Sequence, residues 1–487
     1  MPSKLKDHIF NKGKFTTPLN TIMTNISDDK SWTYGRLPEY LWIGLIFKQY
    51  GRKVGFEKIY KIIRELHQLV PKLNIPRLSS ILELEKDVQL EFYAGMLKVI
   101  SKETLAPLTL ILTLSNYPEF ANSFYCGDLN VQKRQEVLVN TMKELMDHQT
   151  YKSTDIRFVV LYFEGMSSEL HMGKVEADLL GRYPYLEHDD EEMRMLRPMI
   201  RSMELTLLQF EKSDMEYLTF FWEGVSTMTD CKLMSIQFPK EERNIAIFME
   251  QIHEIFDYLK QVFQETDPLN DKMQVLLGIA TYSYKRLKEV YEHKLFNSIS
   301  GRSCVRILIE NYIMMKYLVK NESSHENIWR DYQFYGIGLY KLVLARHREN
   351  TDKRDSHFDE TYIEALVNEF VIEESIDMDT RYFDKTNIRG KAESVDEKDL
   401  YGLYYDYDSS YEHGLWGAIR ESSMVKCNNP AHQYHCVPDV EDSNVLKTVL
   451  PDCIVVIKKT LSFLNDIYGI PPKLYEEVMA FGTESTT

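Results

Sequence analysis

The residues best suited to chemistry lie in the stretch DSSYEHGLWGAIRESS at 408–423. His413 stands between a glutamate and a glycine there, with Ser410 before it and Arg420 after it. Because imidazole titrates near neutral pH, a histidine beside hydroxyl groups and carboxylates can donate or accept a proton. The spacing through Gly417 predicts that the three residues share one face of a helix. The alternative is a structural histidine, hydrogen-bonded to its neighbours.

A second charged group occupies the segment GRSCVRILIENYIMMKYL at 301–318. Arg302, Arg306 and Glu310 recur every four residues and therefore form one stripe of a helix. The apolar residues around the stripe predict a mostly buried helix whose charges face inward or line a cleft. Two interpretations stay open: a salt bridge between Arg306 and Glu310 that locks the fold, or an arginine pair that binds an anion such as phosphate.

The loop CNNPAHQYHC contains residue types that bind zinc, namely Cys427, His432, His435 and Cys436. Structural zinc sites normally use two separated ligand pairs, whereas His435 and Cys436 are adjacent in the chain. We therefore expect a loop fixed by the turn at Pro430, with no metal and no other cofactor, and treat the four residues as weak metal-ligand candidates.

The elements that must position these residues are helices. Apolar residues recur at helical spacing along most of the chain, and hairpin signals are nearly absent, so the sequence predicts an all-α protein. A chain of 487 residues exceeds the size of one core. The polar, proline-bearing segment QETDPLND predicts the boundary between an N-terminal helical domain, residues 1–265, and a helical bundle, residues 266–487.

Composition excludes several classes of protein. The formal net charge of -16 argues against a chain that coats nucleic acid. The P-loop, dinucleotide-binding, zinc-protease and serine-hydrolase motifs are absent. The most apolar stretch, residues 105–118, is too short and too polar to span a bilayer. Six cysteines in a chain of this length suit a reducing compartment. The sequence therefore predicts a cytoplasmic protein that does not enter the membrane.

The segment 301–318, taken together with SSYEHG and CNNPAHQYH, resembles a widespread bacterial all-helical family of unknown function. The resemblance covers most of 270–440, and the segment 31–52 resembles the start of longer members. The order of helices is similar to that of the HEPN superfamily, which includes many metal-independent ribonucleases of toxin and phage-defence systems. In those enzymes an arginine and a histidine, separated in the chain by four to six residues, together promote attack of a ribose 2'-hydroxyl on the adjacent phosphate.

This chain has Tyr407 and Asp408 where that arginine would stand, so the resemblance implies that a cation comes from another helix. The first hypothesis is therefore a HEPN-like, metal-independent ribonuclease or toxin acting on RNA, with phage defence as its candidate setting. Its catalytic residues would be His413, Arg306, Glu310 and Ser410, and its phosphate-binding residues Arg302 and Arg420. The alternative is a non-catalytic binding or scaffold protein of a bacterial defence or mobile element, whose N-terminal domain recruits a protein partner. A homo-oligomer is compatible with both hypotheses.

Overall fold

A computed structural model describes residues 4–18, 32–166, 174–207, 215–239, 244–267, 269–349, 357–369, 371–433 and 435–482. Helices dominate these residues, which confirms the predicted all-α class. The chain divides into two compact units. The first unit comprises residues 1–234 together with 426–436, and the second comprises residues 235–425 together with 437–487.

The first unit contains ten α-helices among its described residues. They are α1 (Leu37–Tyr50), α2 (Arg52–Leu69), α3 (Leu78–Leu82), α4 (Lys86–Val99), α5 (Pro118–Phe124), α6 (Val131–Leu145), α7 (Tyr151–Met166), α8 (Lys174–Arg182), α9 (Met193–Leu207) and α10 (Met215–Ser226).

Helix α1 forms the centre of the first unit. It begins with Pro38 in its first turn and ends at Gly51, whose φ of 74° favours glycine. Leu41, Ile43 and Ile46 are fully buried, and α1 packs against α2, α6 and α7. Because α1 is apolar around most of its circumference, it can be covered on several sides at once.

Five short strands accompany the helices in the described residues: β1 (Ile9–Asn11), β2 (Lys14–Thr16), β3 (Leu233–Met234), β4 (Met424–Cys427) and β5 (Cys436–Pro438). Strands β1 and β2 form an antiparallel hairpin. Strand β3 pairs antiparallel with β4, so that Leu233 lies opposite Cys427. A 3-10 helix, Pro430–His432, follows β4, and Ala431 is buried in the core of the first unit. This pairing and packing tie residues 426–436 to the first unit.

The second unit contains eleven α-helices among its described residues. They are α11 (Ile245–Gln264), α12 (Asp271–Glu292), α13 (Ile299–Asn321), α14 (Ile328–Glu349), α15 (Glu360–Val367), α16 (Ile388–Ser394), α17 (Lys398–Leu400), α18 (Asp406–Glu412), α19 (Trp416–Ser422), α20 (Leu450–Tyr468) and α21 (Pro472–Ala480).

Helix α13 is central to the second unit and packs against α12, α16, α18 and α20. Its buried residues include Val305, Leu308 and Ile309, as the apolar pattern predicts. A Cβ atom at Gly301 would lie 2.7 Å from the carbonyl oxygen of Leu295, so the start of α13 requires a glycine. This close approach fixes the position of the charged stripe that follows.

The sequence-based domain boundary near residue 265 falls at the end of α11. In the structure α11 belongs to the second unit, and its buried residues Phe248, Ile252 and Ile255 pack in that unit's core. The division by contacts lies between Met234 and Ser235. Among the described residues, no helix has both the length and the apolar character needed to cross a membrane.

Candidate functional site

Arg306 and Glu310 form the first half of the predicted site. Arg306 Nη2 lies 3.7 Å from Glu310 Oε2, one helical turn away, so the predicted salt bridge is present. Arg306 Nη2 also donates a hydrogen bond to the Tyr405 hydroxyl at 3.1 Å. Its guanidinium carbon lies 5.1 Å from the centre of the Tyr405 ring. The arginine is therefore held by an acceptor and an aromatic face at once.

Glu310 accepts hydrogen bonds through both carboxylate oxygens. The Tyr382 hydroxyl donates to Oε1 at 2.8 Å, and the Tyr405 hydroxyl donates to Oε2 at 3.3 Å. Burial and the Glu310 charge raise the pKa of Tyr382 well above the ordinary phenol value. Burial lowers the pKa of Arg306, but Tyr405 and Glu310 outweigh burial and raise it overall. These four side chains, Arg306, Glu310, Tyr382 and Tyr405, are called the α13 network below.

Arg302 lies one turn earlier on α13 and makes different contacts. Its side chain is buried, and Nη2 donates to the carbonyl oxygen of Lys447 at 2.8 Å. Its guanidinium carbon lies 5.8 Å from the ring centres of both Tyr407 and Tyr411. The Nε atoms of Arg302 and Arg306 have no hydrogen-bond partner among the described residues. A carbonyl oxygen and two aromatic faces thus hold the Arg302 guanidinium from within the second unit.

Asp408, which is not among the predicted site residues, has the most strongly raised pKa of the carboxyl groups near Arg302. Only 3% of Asp408 is exposed. Burial raises the pKa of Asp408 to about 7 against the opposing charge of Arg302, and the charges of Asp452 and Glu421 add to the rise. Burial also raises the pKa of Asp452, again opposed by Arg302. Removing the hydration of a carboxylate disfavours its charged form, so Asp408 keeps its proton to unusually high pH.

His413 lies apart from these contacts. Helix α18 ends at Glu412, and His413 is its exposed C-terminal cap residue. Among the residues that the structure describes, its ring makes no hydrogen bond or ion pair. Gly414 follows with φ 55°, the left-handed conformation that ends helices, and α19 starts only at Trp416. The expectation that Ser410, His413 and Arg420 share the face of one helix is therefore wrong, because Gly414 interrupts that helix.

Ser410 and Arg420 each bind to the backbone of their own segment. The Ser410 hydroxyl donates to the carbonyl oxygen of Tyr407 at 2.7 Å. Arg420 Nη1 donates to the carbonyl oxygen of Met424 at 3.0 Å. Of the six residues predicted to act on RNA, the structure joins Arg306 to Glu310 by direct contact. Three cavities of 480–640 Å³ in the second unit are lined by other residues.

The structure brings three of the four candidate metal ligands together. Cys427, His432 and His435 lie close to one another, and a fourth residue, Cys231, joins them from near the end of the segment 1–234. Cys436 does not belong to this group. Cys231 stands 196 residues before Cys427 and has no histidine or cysteine near it in the sequence. Local spacing, which is the usual signal of a metal site, is therefore missing here.

The fold and these contacts define an all-helical protein with an internal charged network and a separate Cys/His cluster. Residues 274–432 match a family of unknown function, DUF5677. This match supports the resemblance to a helical family of unknown function over that segment, which carries α13, His413 and the loop as far as His432. Comparison with curated proteins and with solved structures gives no match.

Proposed function

We propose that this protein is a non-catalytic helical binding or scaffold protein in which the α13 network is structural. The observation that carries the proposal is the set of hydrogen bonds and the ion pair that join Arg306, Glu310, Tyr382 and Tyr405. A phosphate-binding arginine needs donors directed at the ligand, whereas Arg306 Nη2 is engaged by Tyr405 and Glu310. A proton-transfer histidine needs to lie within hydrogen-bonding reach of its substrate and its orienting groups. The His413 ring has no such orienting group among the described residues.

The overall charge favours a protein partner over a nucleic acid. A net charge of -16 repels a phosphate backbone unless basic residues are concentrated in one groove. The three arginines of the predicted site contact carbonyl groups, tyrosines or a glutamate of the second unit instead. On this proposal the three arginines stabilise the fold of the second unit.

The alternative function, a HEPN-like metal-independent ribonuclease, is favoured by one specific observation. Helix α18 packs against α13, and Glu412 is close enough to Arg306 to raise its pKa. The end of α18 that carries His413 is therefore near the arginine helix, even though His413 itself faces solvent. An RNA bound at this end would meet both residue types that the resemblance implies.

An RNA-cleavage assay in the presence of a chelator distinguishes the two functions. The scaffold proposal predicts that the wild-type protein and His413→Ala leave RNA equally intact. The matched control is His293→Ala, because His293 is also an exposed cap residue at the end of a helix, α12. Cleavage by the wild-type protein that His413→Ala abolishes and His293→Ala preserves would overturn the proposal and establish the ribonuclease.

Thermal denaturation tests the structural role of the network directly. Arg306→Ala removes a half-buried ion pair, a hydrogen bond and a cation–π contact, so we expect a loss of about 1–3 kcal/mol of unfolding free energy. Arg389→Ala is the control, since Arg389 forms an exposed pair with Glu393 at the same helical spacing. That change should cost less than about 0.5 kcal/mol. Equal losses in the two variants would contradict a structural network.

A further inference from the structure

We infer that the first unit contains a structural Zn²⁺ site formed by Cys231, Cys427, His432 and His435. The site lies outside the α13 network, and its existence does not depend on the proposed function. The ligand set departs from the sequence-based candidates in one position, because Cys231 takes the place of Cys436.

The distances between the ligand atoms match a tetrahedral zinc ion. Cys231 Sγ lies 3.5 Å from His432 Nδ1 and 3.4 Å from His435 Nε2. Cys427 Sγ lies 3.6 Å from His432 Nδ1. Zinc bonds of about 2.3 Å to sulfur and about 2.0–2.1 Å to nitrogen place tetrahedral S and N ligands about 3.5 Å apart. All four ligand atoms lie within 4.8 Å of one another, so one ion can reach them together.

A hydrogen bond of His432 determines which ring nitrogen carries the proton and which one presents a lone pair to the two sulfur atoms. His432 Nε2 lies 2.8 Å from the carbonyl oxygen of Thr229, which can only accept a hydrogen bond. Nε2 therefore carries the proton, and Nδ1 presents a lone pair toward Cys231 and Cys427. A backbone carbonyl that accepts from the distal ring nitrogen is a usual partner of a metal-binding histidine.

Two backbone N–H groups are directed at the sulfur atom of Cys427. They belong to Lys232 and Asn429, and each nitrogen lies 3.4 Å from Sγ. Cys427 is fully buried, so a metal ion bound to this sulfur would be shielded from water on that side. These contacts fix the position of the sulfur atom within the cluster.

Asn429 joins the two segments that provide the ligands. Its Nδ2 donates to Thr229 Oγ1 at 2.7 Å and to the carbonyl oxygen of Asp230 at 2.8 Å. Its Oδ1 accepts the backbone N–H of Ala431. Only 1% of Asn429 is exposed, so these bonds are shielded from water. The cysteine before β3 is thereby held beside the loop after β4.

The backbone of the loop directs both histidines to the same point. His432 ends the 3-10 helix, and Gln433 has a φ of 58°, in the left-handed region. The backbone N–H of His435 then donates to the carbonyl oxygen of His432 at 3.0 Å. This tight reversal brings the His435 ring back beside the His432 ring, with ring centres 5.1 Å apart.

Two thiolates and two imidazoles fill all four positions of a tetrahedral zinc ion, so the site has a structural role. On binding, each cysteine thiol loses its proton to solvent and both sulfur atoms bond to the metal. The ion would connect segments almost two hundred residues apart in sequence and so restrict the unfolded chain over a long loop.

Metal analysis of untagged protein tests the site. The protein is purified in reducing buffer, exposed to ZnCl₂ and dialysed, and zinc per chain is measured by elemental analysis. We expect one zinc ion per chain for the wild-type protein and for Cys436→Ser, and strongly reduced zinc for Cys231→Ser and His435→Ala. Wild-type protein without zinc, or equal zinc in Cys231→Ser, would overturn the inference.

Cobalt titration of the wild-type protein keeps the test valid if a ligand variant fails to fold. Co²⁺ in this site should give the intense visible bands of tetrahedral coordination and a sulfur-to-cobalt charge-transfer band, both lost when Zn²⁺ is added. Weak octahedral bands would contradict the inference. So would a Cys231–Cys427 disulfide found by mass spectrometry in the protein prepared under reducing conditions.

Discussion

The α13 network and the Cys/His cluster are both groups of polar side chains, but they differ in which kinds of atoms face one another. In the α13 network Arg306 donates to the Tyr405 hydroxyl and forms an ion pair with Glu310, whose carboxylate accepts from Tyr382 and Tyr405, so the two opposite charges lie within one network. In the Cys/His cluster, sulfur and nitrogen atoms that carry lone pairs converge on one another. Donors that face acceptors complete one another, whereas sulfur and nitrogen atoms that converge at these distances are suited to bind a cation.

The kinds of atoms that face one another distinguish a structural polar cluster from a ligand-binding cluster more reliably than the residue types do. Arginine, histidine and serine suggested catalysis in the second unit, yet the structure gives two of these residue types backbone or tyrosine partners and leaves His413 exposed. The cysteine and histidine loop looked poorly spaced for a metal. Its atoms nevertheless converge, because the fourth ligand comes from a distant segment.

The largest expected effect is metal removal from the first unit. A strong chelator should lower the unfolding free energy by about 4 kcal/mol when free zinc had exceeded its dissociation constant by about a thousandfold. Differential scanning calorimetry with and without chelator measures the change. The control is Cys231→Ser, whose transition should be insensitive to the chelator. A chelator effect of the same size in both proteins would break the contrast between the two clusters.

A smaller loss is expected when the acceptor of the α13 network is removed. Glu310→Ala leaves the hydroxyls of Tyr382 and Tyr405 without their carboxylate, and should cost about 2–3 kcal/mol in urea denaturation. Glu289→Ala on α12 is the matched control, since Glu289 pairs with Arg286 at an exposed position. We expect less than about 0.5 kcal/mol for the control. Chelation should not change the Glu310→Ala difference, because the network contains no metal ligand.

The smallest expected effect is on the pH dependence of stability. The pKa of Asp408 is raised to about 7 in the folded protein, so the folded state holds a proton that the unfolded state releases. This contribution is fully present below the ordinary carboxyl pKa and is lost as pH rises through about 7. Asp408→Asn should therefore flatten the wild-type decline in melting temperature, which corresponds to at most about 1.4 kcal/mol per pH unit.

Asp452→Asn serves as the comparison for this experiment, because the pKa of Asp452 is also raised by burial beside Arg302. Its effect should be smaller than that of Asp408→Asn. A wild-type stability that is constant through neutral pH, or one that rises, would contradict a buried protonated Asp408.

The sequence by itself determined the helical class of this protein, because the spacing of apolar residues that predicts a helix lies within the helix itself. It also predicted the Arg306–Glu310 pair as one of two interpretations of the charged stripe, since residues one turn apart on a helix lie beside each other. The breadth of the apolar surface of α13 likewise predicted its burial.

Only the tertiary structure decided the remaining features. Gly414 ends α18 and removes His413 from the expected face, a choice that depends on how the chain leaves the helix. Asp408 acquires its raised pKa through burial among residues of other helices. Cys231 meets Cys427 because β3 pairs with β4 across a long stretch of chain. Contacts between distant segments depend on how the helices pack against one another, and local spacing in the sequence carries no record of that packing.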